Sequence, residues 1–178
     1  ENRYNLIDEN WIPVAGKGKV GLRTIFSDSS VTSLGGNPVE KIAVFKLLLA
    51  IAQSAYSPED EADWQQLGCA GMQQKVLDYL DKQHDCFWLY GEHPFLQMPE
   101  IENKGSPVKI GNGTFPDLFP DNNTVVSQFD HSDISDFDAD KALFLLAVQN
   151  FAFYGKQVDN KIKLAENIEK GSIAKPGA

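Results

Sequence analysis

The chain has 178 residues, with 42% apolar and 23% charged positions, a net charge of −9 and a pI of about 4.7. This is ordinary globular composition, long enough for one domain whose core needs no staples. Nucleic-acid binders that act alone are usually basic, so the acidity argues against bulk, non-specific DNA binding by this chain by itself.

No run approaches the roughly 18 apolar residues of a membrane span, and no signal peptide is recognisable. The chain opens on Glu1 rather than Met, as expected if a short leader has been lost. Cys69 and Cys86 are the only cysteines. They form no CxxC pair and read as two buried, reduced thiols of a cytosolic protein.

Asn5 to Val14, N-L-I-D-E-N-W-I-P-V, reads as two short strands around Asp8, Glu9 and Asn10. Pro13 cannot donate to a ladder, which places it at an edge or a strand end. Gly16, Gly18 and Gly21 punctuate the next turn. Their spacing matches neither phosphate-binding glycine motif. Val20 to Phe26 is a further strand or the start of a short helix, and 27–36 is loop-like.

Asn37-Pro38-Val39-Glu40 is a helix start, with Asn37 as cap, Pro38 at the first position and Glu40 reaching back. The helix runs to about Tyr56. Ile42, Phe45, Leu48, Leu49, Ala52 and Tyr56 share a face at helical spacing, and Leu47 and Ile51 widen it. This predicts a central core helix buried on most sides. A short acidic helix follows to Leu67 and stops at Gly68. Another covers Gly71 to about His84, with Met72, Val76, Leu77 and Leu80 in register.

Phe87, Trp88, Leu89 and Tyr90 form an uncharged run that suits a strand buried on both faces. Gly91-Glu92-His93-Pro94 turns the chain, and Phe95, Leu96 and Met98 return it to the core. Prolines and glycines then interrupt 99–136, a long irregular loop in which only Thr124 to Phe129 is strand-like. The last clear helix covers 138–154, capped by Ser135 or Asp138 and stopped at Gly155. The remainder, 156–178, is polar, lysine-rich and loop-like. The fold expected is α+β: short strands packed with several buried helices plus the long loop. Residues 1–155 form a single domain, and 156–178 are a flexible end.

Chemistry-bearing residues are sparse. His84, His93 and His131 each have an acidic neighbour and could together serve a small metal-dependent hydrolase, but they lie on three segments with no HExxH or HxH spacing. No GxSxG elbow is present. Asp133, Asp136, Asp138 and Asp140 lack the glycine and terminal Glu of a calcium loop and read as solvated helix-start carboxylates. Phe87, Trp88 and Tyr90 have no basic residues interleaved, so core packing is preferred to base stacking. No catalytic, metal or cofactor constellation emerges, and a purely structural interaction module stays open as an alternative.

Two stretches carry a family resemblance. Asn5-Leu6-Ile7-Asp8 with Trp11-Ile12-Pro13-Val14 is similar to the opening of the large subunit (CasA family) of the type I-E CRISPR surveillance complex, Cascade. Glu92-His93-Pro94-Phe95-Leu96-Gln97 resembles that family's E-H-P-F-(L/M)-Q. Asn122-Asn123 followed by Phe129-Asp130-His131 is similar to its N-N…F-D-H. The resemblance covers 5 to about 155 and implies an N-terminal fragment of a longer, non-enzymatic, cytoplasmic subunit. It implies as partners the other Cascade subunits, the 5′ end of the guide RNA, target double-stranded DNA with its protospacer-adjacent motif, and a helicase-nuclease. It implies no membrane and no cofactor. In such systems protein reads the short motif and base pairing reads the rest.

The resemblance also points to residues. Val125, Val126, Gln128 and Phe129 match a loop near the guide RNA and a neighbouring subunit. Tyr154, Gly155 and Lys156, after Phe153, match a glycine-rich loop that approaches the minor groove, where a backbone without Cβ can lie close. This chain has one glycine there instead of a run. Lys156 is placed to reach a phosphate, with Lys161 and Lys163 as further local cations.

Overall fold

The computed structural model describes residues 1–97 and 137–151. Four short strands and four helices run in the order β1 (Arg3–Asn5), β2 (Ile12–Val14), β3 (Gly18–Val20), α1 (Leu22–Ser27), α2 (Pro38–Ala55), α3 (Glu61–Lys82), β4 (Trp88–Tyr90) and α4 (Asp138–Phe151). A single 3-10 turn, His84–Phe87, precedes β4. The architecture is α+β, as expected.

The strands form two antiparallel pairs. β1 pairs with β4, with Arg3 opposite Tyr90 and Asn5 opposite Trp88. β2 and β3 form a hairpin with Ile12 opposite Val20 and Val14 opposite Gly18. Its turn uses positive φ at Gly16 and Gly18, which only glycine adopts without strain. Pro13 lies within β2, and its carbonyl accepts from Gly35 N at 2.8 Å. Lacking an N–H of its own, it costs the ladder nothing at that edge.

Between the two pairs, Leu6, Ile7, Trp11 and Ile12 are wholly buried together with Leu22. The Leu6–Ile7 turn supplies backbone acceptors to the next element: Leu22 N donates to Leu6 O (3.4 Å) and Arg23 N to Ile7 O (3.0 Å). Gly21 allows that approach. A Cβ there would lie 2.8–3.0 Å from the carbonyl oxygens of Ile7, Glu9 and Asp8.

The start of α2 follows the sequence reading. Asn37 Oδ1 accepts from Glu40 N and Glu40 Oε2 accepts from Asn37 N, each at 2.9 Å, a complete capping box. Gly68 breaks α3 into two helical pieces, with φ 64° and ψ 176°. The second piece therefore begins before the expected Gly71. Val76 and Leu80 of that piece, and Ala142, Leu143, Leu146 and Ala147 of α4, join the core. Helix α2 packs against both α3 and α4.

Several expectations are corrected. The buried residues of α2 are Ala43, Val44 and Ile51, whereas Ile42, Phe45 and Leu49 are 51%, 60% and 46% exposed. Because α2 carries apolar residues on two opposite sides, spacing could not choose which side faces inward. Cys69 and Cys86 are exposed, not buried. In β4 only Leu89 is buried, while Trp88 and Tyr90 are half-buried, because successive side chains of a strand point to opposite faces and only the face of Leu89 meets the core. Leu96 is exposed with φ 53°, Phe95 packs on the core as expected, and Met98 lies outside the described residues.

No described helix is long and apolar enough to cross a membrane.

Candidate functional site

The two stretches that carry the resemblance both bond to the segment from Phe87 to Leu89, and the residues of each have structural tasks there. Asn5, only 4% exposed, is the buried polar residue among the described core. Its Oδ1 accepts from Ile7 N at 2.9 Å, closing the Leu6–Ile7 turn. Its Nδ2 donates to His84 O at 3.0 Å. Leu6 N donates to Phe87 O at 2.9 Å, and Trp11 Nε1 donates to Leu6 O at 2.8 Å. A buried polar group persists only when its donors and acceptors are satisfied, and here both ends of the amide are. The motif thus stitches β1 to the turn that launches β4.

Glu92 to Gln97 folds back along the other side of β4. Phe95 N donates to Trp88 O at 2.7 Å, and Gln97 Nε2 donates to Leu89 O at 2.9 Å. The Phe95 ring stacks on Phe87 with centroids 5.2 Å apart. Gln149 of α4 donates to Leu96 O at 3.0 Å. A short strand with one regular partner gains a second set of bonds, which covers an edge that would otherwise be open. Gly91 makes the corner with φ 150°. Glu92 and His93 at its tip are exposed.

Charged residues tie the elements together. Asp8 accepts from Arg23 Nε at 3.0 Å and pairs with His84 Nε2 at 2.9 Å, while Arg23 also reaches Asp81 at 2.8 Å. Partial burial pushes the Asp8 carboxyl up, but the hydrogen bonds from His84 and Arg23 outweigh it and hold the group below the usual carboxylate range. Asp138, at the start of α4, accepts from Tyr90 Oη at 2.8 Å and from Arg3 at 3.2 Å. The Arg3 guanidinium lies 4.3 Å from the Tyr90 ring centre. Asp140 pairs with Lys19. Burial, followed by the charges of Glu9, Asp138 and Asp140, pushes the Tyr4 phenol up to about 12. Burial and the Asp138 hydrogen bond raise Tyr90 as well. The Asp138 and Asp140 carboxylates, expected to be solvated, instead anchor α4 to β1, β3 and β4.

Of the three histidines, His84 is engaged by Asp8 and meets Trp88 edge-on at 5.5 Å, while His93 is at the exposed corner. His131 lies outside the described residues. Among the described residues no group of three or more His, Cys, Asp or Glu could hold a metal. The candidate nucleic-acid contacts Val125, Val126, Gln128, Phe129, Tyr154, Gly155 and Lys156 also lie outside the described residues, as do Lys161, Lys163 and the boundary expected at 155. Helix α4 is described to Phe151, three residues before Tyr154. The sequence reading missed the pairing of Asp8 with His84, 76 positions apart. The one local signal was a polar Asn5 set against the apolar Leu6 and Ile7.

The profile of the family described as CRISPR-associated protein Cse1 matches residues 5–177. The chain belongs to this Cse1 (CasA) family. The CRISPR-associated protein CasA/Cse1 of Thermus thermophilus is 33% identical over 140 residues, which is 73% of this chain and 27% of the relative. The chain therefore spans about a quarter of that curated relative's length. Among solved structures, Thermobifida fusca Cse1 is similar at 28% identity and a TM-score of 0.47, covering 53% of this chain and 20% of that one. Thermus thermophilus CasA (Cse1) is similar at 32% identity and a TM-score of 0.47, covering 58% and 24%. In this member of the Cse1 family, Asn5 to Val14 and Glu92 to Gln97 form one structural joint between β1, β4 and α4.

Proposed function

We propose that the chain acts as the N-terminal part of the large subunit of an RNA-guided CRISPR surveillance complex. In this reading it works in the cytoplasm, without catalytic chemistry of its own, beside other Cascade subunits. It helps recognise the protospacer-adjacent motif in duplex DNA near the 5′ end of the guide RNA, and it helps recruit a helicase-nuclease. The observation that carries the reading is the family match over 5–177, which includes every proposed nucleic-acid contact.

The chemistry is consistent with a subordinate DNA contact. A chain of charge −9 cannot supply bulk phosphate affinity, but a subunit held in place by partners needs only local cations. Lys156 would contact a phosphate, Gly155 and Tyr154 would approach the groove, and Val125, Val126, Gln128 and Phe129 would lie near the guide RNA. The structural joint would hold α4 in place, so that the chain leaves it from a fixed anchor.

The test is DNA binding by the assembled complex across a salt series. Lys156→Ala should weaken binding and reduce the salt slope by about one, with the thermal unfolding of the chain unchanged. Unchanged affinity and slope would remove Lys156 from the interface. Crosslinks from 125–129 to the guide are expected as well. Their absence, with binding also unaffected, would leave a protein-contact role only.

A further inference from the structure

We propose that Glu92–Gln97 is a strained strap that opens about Gly91 as a unit of its own, with Gln149 of α4 as the catch that holds it shut. This goes beyond the function proposed above and does not depend on it.

Backbone strain is concentrated around one strand. Among the described residues, two that are not glycine have positive φ, Tyr4 at 63° and Leu96 at 53°. Tyr4 belongs to β1 and Leu96 to the return, and both segments bond to β4. The left-handed region crowds Cβ against the backbone and is costly for a leucine. Burial of the side chain offsets little of that cost, since Leu96 is 47% exposed. Such a conformation persists only where the surrounding bonds impose it.

Those bonds identify the catch. Gln97 N donates to Pro94 O at 3.1 Å, closing a turn around Phe95 and Leu96. Phe95 N holds Trp88 O at 2.7 Å, and Gln97 Nε2 holds Leu89 O at 2.9 Å. A further tie comes from α4: Gln149 Nε2 donates to the carbonyl of the strained residue itself, Leu96 O, at 3.0 Å. No residue of 92–97 is fully buried. Pro94 and Phe95 are half-buried and the others are exposed, whereas Leu6 and Leu89 nearby are in the core. A segment with little buried surface and exposed hydrogen bonds opens at a free energy well below that of global unfolding. Gly91, at φ 150°, is the pivot. A Cβ there would collide with the Asn2 side chain, and glycine turns more freely than any other residue. Opening parts the Phe95 ring from Phe87, bares the carbonyls of Trp88 and Leu89, and breaks the Gln149 bond. The corner and α4 are thus coupled. Displacing α4 frees the strap, and displacing the strap loosens α4 by the same factor.

Amide exchange in the nitrogen-15-labelled 178-residue chain tests this. Phe95 N–H, bonded to Trp88 O, reports the strap, and Leu6 N–H, bonded to Phe87 O, reports the β1 side. After correction for intrinsic rates, Phe95 should exchange at least about 100-fold faster than Leu6, at a rate nearly insensitive to low urea, as local opening requires. Gln149→Ala should speed Phe95 by about two- to tenfold, the worth of one hydrogen bond, and leave Leu6 unchanged. Leu96→Asn introduces a residue that tolerates the left-handed region and should slow Phe95 by at least about threefold. Exchange of Phe95 and Leu6 at one common rate with one urea dependence would overturn the proposal, because the strap would then open only with the whole fold. A Phe95 rate unmoved by Gln149→Ala, or one that moves together with Leu6, would overturn the catch. A rate unmoved or raised by Leu96→Asn would overturn the strain.

Discussion

Replacing Asn5 by Ala removes one side chain but two hydrogen bonds, and each leaves a stranded partner. Ile7 N, which loses its acceptor at 2.9 Å, belongs to a residue with no exposure. His84 O loses its donor at 3.0 Å. Stranding a buried donor or acceptor costs about 1–3 kcal/mol each. The carbonyl has a spare route to solvent through the half-exposed His84, so it counts at the low end. A total of about 2–4 kcal/mol follows, which for a chain of this size lowers Tm by roughly 5–15 °C. Urea titration of the purified chain, read by tryptophan fluorescence and far-ultraviolet circular dichroism, gives the midpoint and slope. The midpoint should fall with the slope unchanged. Asn5→Asp separates the two bonds: it keeps the acceptor for Ile7 N but sets a carboxylate against His84 O at neutral pH. Its deficit should shrink as the pH falls and the new carboxyl gains a proton to donate. A loss under about 1 kcal/mol for Asn5→Ala, or a pH-independent deficit for Asn5→Asp, would refute the role of Asn5 in the joint.

Gly21→Ala would place a methyl 2.8–3.0 Å from three backbone oxygens. Since that backbone is pinned by the Leu6–Ile7 turn, about 2–3 kcal/mol should be lost in the same titration; a neutral result would show that the turn can move. Asp8 has a depressed carboxyl, so its contribution is present above the ordinary carboxylate range and is lost as pH falls through its lowered value. Asp8→Asn should therefore be less stable than the parent by up to about 1 kcal/mol near neutrality, given its exposure, and the two should converge in acid. Chemical unfolding at several pH values checks this, and a gap that widens in acid would be the wrong sign. Tyr4, raised to about 12, favours the folded state fully below its ordinary value near 10 and ceases to do so as pH rises to about 12. Ultraviolet titration should show a late-ionising tyrosine component that shrinks in Tyr4→Phe; an unchanged titration curve would contradict it.

The local signals in the sequence and the contacts between distant segments divide cleanly. Asn37-Pro38-Val39-Glu40 announced the start of α2 because capping is decided within four residues, and both bonds of that box form. Gly68 announced a break because a positive φ excludes a Cβ-bearing residue locally. The strand that pairs with the run ending at Tyr90 is Arg3–Asn5, just upstream of the strand expected at Leu6 and Ile7, which form a turn instead. The family was legible too, because Asn5 to Val14 and Glu92 to Gln97 sit close to their backbone tasks. Their residues supply a turn closure, a buried indole bond and an edge cover.

What the sequence could not decide was direction and partnership. The spacing of α2 fits apolar faces on two opposite sides, and only packing against α3 and α4 chose Ala43, Val44 and Ile51 over Ile42, Phe45 and Leu49. Asp8 found His84 across 76 positions, and Asp138 found Arg3 across 135. Such pairings cost loop-closure entropy that no local pattern encodes. Composition and local chemistry therefore determined which elements this chain forms and which family it resembles. The tertiary structure alone determined which sides of those elements are spent in the core and which stay exposed, because burial is a property of neighbours rather than of residues.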